Sequence, residues 1–85
     1  MHLTLRQLQC FSAVAQNLSF TRAANQLHLT QPAVSMQVRQ LEQQTGIALT
    51  EQIGKRIYLT DAGEEVFRYA RSILQQVDEM DDVLN

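Results

Sequence analysis

The sequence is poor in residues that break a chain or cross-link it. Its 85 residues include one proline, three glycines and one cysteine. A lone cysteine excludes an internal disulfide and fits a reducing compartment. Cys10 stands among Leu8, Phe11 and Val14, where a free thiol serves as a small core residue. No apolar run approaches the roughly 20 residues needed to cross a bilayer, and no signal peptide is visible. No membrane is therefore expected, and the expected location is cytoplasmic. The two histidines, His2 and His28, are joined by no cysteine or carboxylate cluster, so no metal or other cofactor is expected. A phosphate-binding glycine loop and a nucleophile–base pair are also missing. Ser35 has no histidine near it and reads as a contact residue, so no catalytic residue is assigned and an enzyme is disfavoured.

What remains is 45% hydrophobic residues with few helix breakers, which predicts one small, mostly helical domain. A chain of this size buries roughly two-thirds of its unfolded surface, so its core is thin. The net charge of −2 hides an asymmetry. Residues 1–60 carry Arg6, Arg22, Arg39, Lys55 and Arg56 against Glu42 and Glu51, a net of +3. Residues 61–85 carry Arg68 and Arg71 against seven carboxylates, a net of −5. A mildly basic front joined to an acidic tail permits a nucleic-acid partner without proving one.

Helical periodicity starts early. Leu5, Leu8, Phe11, Val14, Ala15 and Leu18 predict a first helix from Thr4 to about Asn17, with Thr4 as its cap. Ser19 opens a second, short helix to about Leu27, buried through Ala23, Ala24 and Leu27. The link His28-Leu29-Thr30 leads to a third helix. Two helices joined by about three residues, with alanines at the crossing, fit a helix-turn-helix. The spacing alone is shared by many helical hairpins, and His28 reads as a turn residue.

The third helix has two unlike faces. Val34, Val38 and Leu41 make a buried stripe, while Gln31, Ser35, Met36, Gln37 and Arg39 fall off it. Uncharged hydrogen-bonding groups stand where a solubility face would carry Lys and Glu. Thr30 caps the start, and Pro32 in the first turn loses no intrahelical bond. Such a helix start suits phosphates and base edges, which predicts a recognition helix. It ends near Gly46, a glycine expected in the left-handed region.

Beyond Gly46 the period changes. Ala48–Ile53 and Arg56–Thr60 are short and β-prone, with Gly54-Lys55 between them at hairpin spacing. Beside a helix-turn-helix, such a hairpin is a wing. Lys55 and Arg56 at its tip are either two solvated charges or contacts to phosphate or a minor groove, and the preceding helices favour contact.

Thr60 or Asp61 caps a last helix. Gly63 in its first turn costs roughly 1 kcal/mol relative to alanine, which close packing against the domain would explain. Val66, Ala70, Ile73, Val77, Met80 and Leu84 repeat as a heptad seam, with Phe67 and Leu74 as a second stripe toward the domain. The economical partner for the seam is a second copy of the chain. Asp78, Glu79, Asp81 and Asp82 oppose the negative helix end, so continuation past Asn85 is expected.

Phe11, Ala13-Val14-Ala15, Ser19-Phe20-Thr21-Arg22-Ala23-Ala24, Leu27, Thr30-Gln31-Pro32-Ala33-Val34-Ser35, Leu41-Glu42, Gly46 and Leu59-Thr60-x-Ala62-Gly63 together resemble the N-terminal DNA-binding domain of LysR-type transcriptional regulators. The match covers nearly the whole chain in order. It implies a mostly α fold with a small β-hairpin. A winged helix-turn-helix over 1–60 is followed by a dimerising linker helix over 61–85, and the effector-binding domain is absent from this chain. Double-stranded promoter DNA is the implied partner, bound by a homodimer and, in longer relatives, by a tetramer. Thr30, Gln31, Pro32, Ala33, Ser35 and Met36 correspond to the base-reading region. Ser19, Thr21, Arg39, Lys55 and Arg56 make the set expected on DNA backbone or a minor groove. Three positions depart from the pattern: Thr50 replaces a core phenylalanine, and Gln52 and Met36 replace frequent arginines. His2-Leu3-Thr4-Leu5-Arg6-Gln7-Leu8 and Gln52-x-Gly54-Lys55-Arg56-Ile57-Tyr58-Leu59-Thr60 are most similar to regulators of carbon-fixation (RuBisCO) operons. The competing reading is a helical interaction or dimerisation module without base readout. It differs on whether Gln31, Ser35 and Arg39 matter at all.

Overall fold

Four helix starts are each fixed by one hydroxyl. The computed structural model describes residues 2–85 as α1 (Leu5–Asn17), α2 (Phe20–Leu27), α3 (Gln31–Thr45), β1 (Thr50–Ile53), β2 (Arg56–Leu59) and α4 (Asp61–Leu84). The N-caps are Thr4, Ser19, Thr30 and Thr60, each accepting a backbone N–H from the first turn it opens. Thr4 also forms a reciprocal capping box, because Gln7 Oε1 accepts the Thr4 N–H at 3.1 Å. Helix ends use the left-handed region: Leu18, His28 and Gly46 have φ of 49°, 57° and 71°. Gly46 was expected there. Leu18 is a correction, since it was placed on the apolar face of the first helix but caps that helix and stays 46% exposed. Leu5, also placed on that face, is 47% exposed.

The core is built around α1, which packs against α2, α3 and α4. Contact on three sides buries far more than one stripe, from Leu8 through Ala15 apart from Gln9. Phe11, Val14, Val34, Val38, Leu41 and Leu49 are essentially sealed. Cys10 is sealed too, and burial pushes its thiol above the ordinary range, with nearby Arg6 pulling weakly the other way. Ala23 and Ala24 are buried at the α2 crossing, where small side chains let helices approach. Asn17 braces α1 to α2, its Nδ2 donating to Gln26 Oε1 at 2.8 Å.

The two strands pair antiparallel, with Thr50 opposite Leu59 and Ile53 opposite Arg56. Gly54, at φ 63°, makes the turn. Below the hairpin, Thr60 Oγ1 donates to Ala48 O at 2.7 Å, and Thr60 N donates to Leu49 O at 3.1 Å. Gly63 then lies directly against Leu49, and a Cβ there would collide with the Leu49 carbonyl. Thr50 is half-buried, and the deep hydrophobic anchor of the wing is its neighbour Leu49. Among the described residues, no helix is long and apolar enough to cross a membrane, and no three metal-binding side chains cluster.

Candidate nucleic-acid interface

The start of α3 is held out from the core by its own buried stripe. Val34, Val38 and Leu41 are fixed beneath, so the intervening positions face outward. Thr30, Gln31, Pro32 and Met36 are exposed, and Ala33 and Ser35 are half-exposed. Six base-reading residues predicted from sequence thus share one helix end. Thr30 Oγ1 is taken up by the Ala33 N–H at 3.3 Å, so its hydroxyl first serves as a cap. Proline at the second position of α3 has no N–H to leave unpaired.

Gln31 and Ser35 form a unit, with Gln31 Nε2 donating to Ser35 Oγ at 2.7 Å. Along with Val38, Arg39 and Glu42 they line one side of a cleft of about 280 Å³. Phe20 of α2 and Gln52 and Ile57 of the wing line the rest. Gln52 and Phe20 were not among the predicted contacts. Alternation in β1 could have flagged Gln52, because it faces the same side of the hairpin as Thr50, opposite Ile57. Met36 lies outside this cleft and is 50% exposed, a free apolar group one position round the helix from Ser35.

Of the backbone-contact set, Arg39 lines this cleft, and the other four lie on α2, its cap and the wing, elements that contribute Phe20, Gln52 and Ile57 to the lining. Arg39 is exposed on α3, Lys55 is exposed in the hairpin turn, and Arg56 is exposed at the start of β2. Ser19 Oγ accepts the Arg22 N–H at 3.1 Å, and Thr21 is exposed in the first turn of α2. None of these five side chains is engaged in an ion pair among the described residues.

The predicted dimer seam divides in two. Ala70 is fully buried in the chain's own core, and Val66 packs against that core. Both were expected to face a second copy, and Ala70 has no surface left for one. The reason is that α4 packs on α1, and the side of α4 that carries Ala70 is already turned into the chain's own core, where an alanine permits close approach. Phe67 and Leu74 turn toward the domain as expected, with Phe67 against the core and Leu74 half-buried. Val77 is half-buried. Ile73, Met80 and Leu84 remain open at 39%, 56% and 74%. Tyr69, absent from the predicted seam, is 59% exposed and extends the open stripe. The Arg68 guanidinium covers one face of its ring at 4.8 Å.

Comparison with known proteins adds an independent line. Residues 5–64 match the family described as bacterial regulatory helix-turn-helix protein, lysR family. A RuBisCO operon transcriptional regulator of Allochromatium vinosum is 60% identical over 84 residues, covering 99% of this chain and 28% of that protein. The HTH-type transcriptional regulator CfxR of Cupriavidus necator is 51% identical over 82 residues, covering 96% of this chain and 26% of that protein. The chain therefore spans about a quarter of the length of these relatives. Among solved structures, a BenM DNA-binding domain in complex with catB site 1 DNA superposes with a TM-score of 0.92 at 36% identity, covering 96% of this chain and 92% of that one. A CbnR DNA-binding domain in complex with DNA gives a TM-score of 0.87 at 36% identity, covering 94% and 92%.

Proposed function

The chain belongs to the LysR family of bacterial regulatory helix-turn-helix proteins, and from that premise we propose that it reads double-stranded DNA by sequence, with the start of α3 in a major groove and the wing on adjacent backbone. One observation carries this reading. The exposed end of α3 presents Gln31, Ser35 and Met36 with no charged side chain between Thr30 and Val38, while Arg39 follows on the same helix and Lys55 and Arg56 are exposed on the wing whose Gln52 and Ile57 line the same cleft. Neutral hydrogen-bonding groups on a helix end, with cations further along the helix and on the wing, suit base edges flanked by phosphates. Gln31 pairs most naturally with adenine, Ser35 adds a hydrogen bond, and Met36 offers apolar contact to a thymine methyl. Ser19 and Thr21, at the start of α2, supply further phosphate contacts.

The finer assignments rest on the relatives. Two relatives are named RuBisCO operon transcriptional regulators, which supports control of carbon-fixation genes by a longer protein; we place that protein on the DNA of the bacterial cytoplasm, at the nucleoid. We assign 1–60 to DNA reading and 61–85 to a linker that pairs two copies through Ile73, Val77, Met80 and Leu84, with tetramers formed by the longer protein. A role without catalysis follows from the same reading.

A titration tests it. The chain is added at fixed salt to a duplex with dyad-related T- and A-bearing half-sites and to a scrambled duplex. Tighter binding to the first, in steps of two chains per duplex, is the expected result. Equal weak binding to both would remove base readout and leave an interaction module.

A further inference from the structure

Glu42 is a carboxylate in the wrong place for a surface that meets DNA. It projects from α3 into the same cleft as Gln31, Ser35 and Arg39. A free negative charge there would repel phosphates. Glu42 is not free, however. Its Oε2 accepts the Leu49 N–H at 2.8 Å and the Thr50 N–H at 3.4 Å. Leu49 is the last residue before β1, and Thr50 is the first residue in it. These two bonds form a polar link from the recognition helix to the wing.

The other restraints on this junction come from α4. Thr60 N donates to Leu49 O, Gly63 abuts the same carbonyl, and Thr60 Oγ1 holds Ala48 O. Without Glu42, α4 and the core would still hold the base of the hairpin. Its direction relative to α3 would lose this restraint. A carboxylate accepting two backbone N–H groups at the hairpin's first residue suits that purpose, since charge-assisted bonds are short and directional.

We propose that Glu42 is a positioning residue for DNA binding: it clamps the root of the wing to α3 and so aims Lys55 and Arg56 at the backbone beside the groove that α3 occupies. The proposal deepens the DNA-binding reading above and rests on it. It also predicts a sign. Removing a carboxylate that merely sat near DNA would tighten binding, whereas removing the clamp weakens it.

The test uses the dyad duplex and the scrambled duplex, with circular dichroism reporting the fold of each variant. Glu42→Ala is expected to lower affinity for the dyad duplex about tenfold, the scale of one charge-assisted hydrogen bond. It is also expected to flatten the slope of log affinity against log salt. Glu42→Gln keeps an acceptor and is expected to recover most of that loss. In a Lys55→Ala/Arg56→Ala background, Glu42→Ala is expected to cost little more, because the groups it aims are gone. Tighter or unchanged binding by Glu42→Ala, or a full tenfold loss in the double-alanine background, would overturn the proposal. Should Glu42→Ala fail to fold, amide exchange decides: slow exchange at Leu49 in the intact chain, made modestly faster by Glu42→Gln because a neutral acceptor holds the N–H less tightly, supports the clamp, and fast exchange in the intact chain, or exchange that Glu42→Gln leaves unchanged, refutes it. If the intact chain does not prefer the dyad duplex, the DNA-binding reading fails instead, a result distinct from any of these.

Discussion

Gln31 and Ser35 stand one turn apart on α3, and the Gln31 amide donates to the Ser35 hydroxyl at 2.7 Å. This bond uses one of the two N–H groups on Nε2. The second N–H and Oε1 remain for a base, and they match the N7 acceptor and N6–H donor of adenine. Ser35 thereby orients Gln31 before DNA arrives, which reduces the side-chain freedom lost on binding. Gln31→Ala is expected to weaken binding to a specific duplex by about 1–3 kcal/mol, the value of one bidentate pair, with nonspecific binding nearly intact. Ser35→Ala should lose a smaller part of the same preference. Parallel titrations on specific and scrambled duplexes check both, and equal losses on the two duplexes would remove Gln31 from base reading.

Arg56 opens β2 opposite Ile53 and is exposed, next to Lys55 in the turn. Each phosphate contact releases condensed counterions, so salt dependence counts such contacts. Arg56→Ala is expected to reduce the slope of log affinity against log salt by about one unit, on specific and scrambled duplexes alike. A slope equal to that of the unaltered chain would make Arg56 a bystander.

Gly63 has no room for a side chain, because the Leu49 carbonyl occupies the place of its Cβ. Gly63→Ala gains helix propensity, yet it must push α4 away from the root of the wing. Backbone cannot yield as a flexible side chain does, so the clash outweighs the propensity. The expected loss is about 1–3 kcal/mol, in the range of overpacked cores. In a domain of this size each kcal/mol lowers the melting temperature by about 4–8 °C. An unchanged or raised melting temperature would show that the contact relaxes at little cost.

Much of this arrangement was legible beforehand, and the exceptions share a cause. Thr4, Ser19 and Thr30 announced helix starts, and Thr60 did so with Asp61 as an alternative, because a capping side chain is a local matter, decided within four residues. Gly46 announced a left-handed helix end, and Gly54 a hairpin turn, for the same reason. Leu18 and His28 adopt that conformation without being glycine, so their sequence gave no sign of it. Within the site, the α3 residues were readable as an uncharged face over a buried stripe. Strand alternation marks the side of the hairpin that Gln52 faces but not its meeting with Phe20 of α2 across the cleft, and the bond from the Leu49 N–H to Glu42 crosses a helix end and a loop, where neither helical nor strand periodicity applies. The seam on α4 misled because periodicity records that a position is apolar without recording what covers it. Val66 and Ala70 obey the heptad, yet Ala70 is covered by the chain's own core and Val66 is half-buried against it.

Cys10 is sealed, and burial raises its thiol above the ordinary range. A raised pKa in the folded state means that the fold binds this proton more tightly than the unfolded chain does. The resulting stability is complete below the unfolded thiol's pKa and is lost as pH rises through the folded value. Urea midpoints should therefore fall on the alkaline side of the ordinary thiol range, more steeply for the intact chain than for Cys10→Ala. Identical alkaline slopes would place the titration elsewhere. A thiol reagent at neutral pH should react only as fast as the chain opens.

Dimer formation offers the sharpest contrast between pattern and packing. The heptad reading places Ala70 and Ile73 in one interface. In the fold, Ala70 touches only its own domain, whereas Ile73 stands 39% exposed between Tyr69 and Met80. A charge at Ile73 should leave the domain intact and oppose a second copy, because it would be buried unpaired between two helices. Ile73→Glu is therefore expected to keep its melting transition nearly unchanged when measured as a monomer, and to abolish any concentration-dependent mass increase in sedimentation. Binding to a two-half-site duplex should then lose its paired steps, while a single half-site binds as before. Ala70→Glu should behave in the opposite way and unfold the domain, since its side chain would enter the α1–α4 contact. If Ile73→Glu dimerises as readily as the parent chain, the copies meet through another surface, and the exposed stripe from Tyr69 to Leu84 must be explained by a different neighbour.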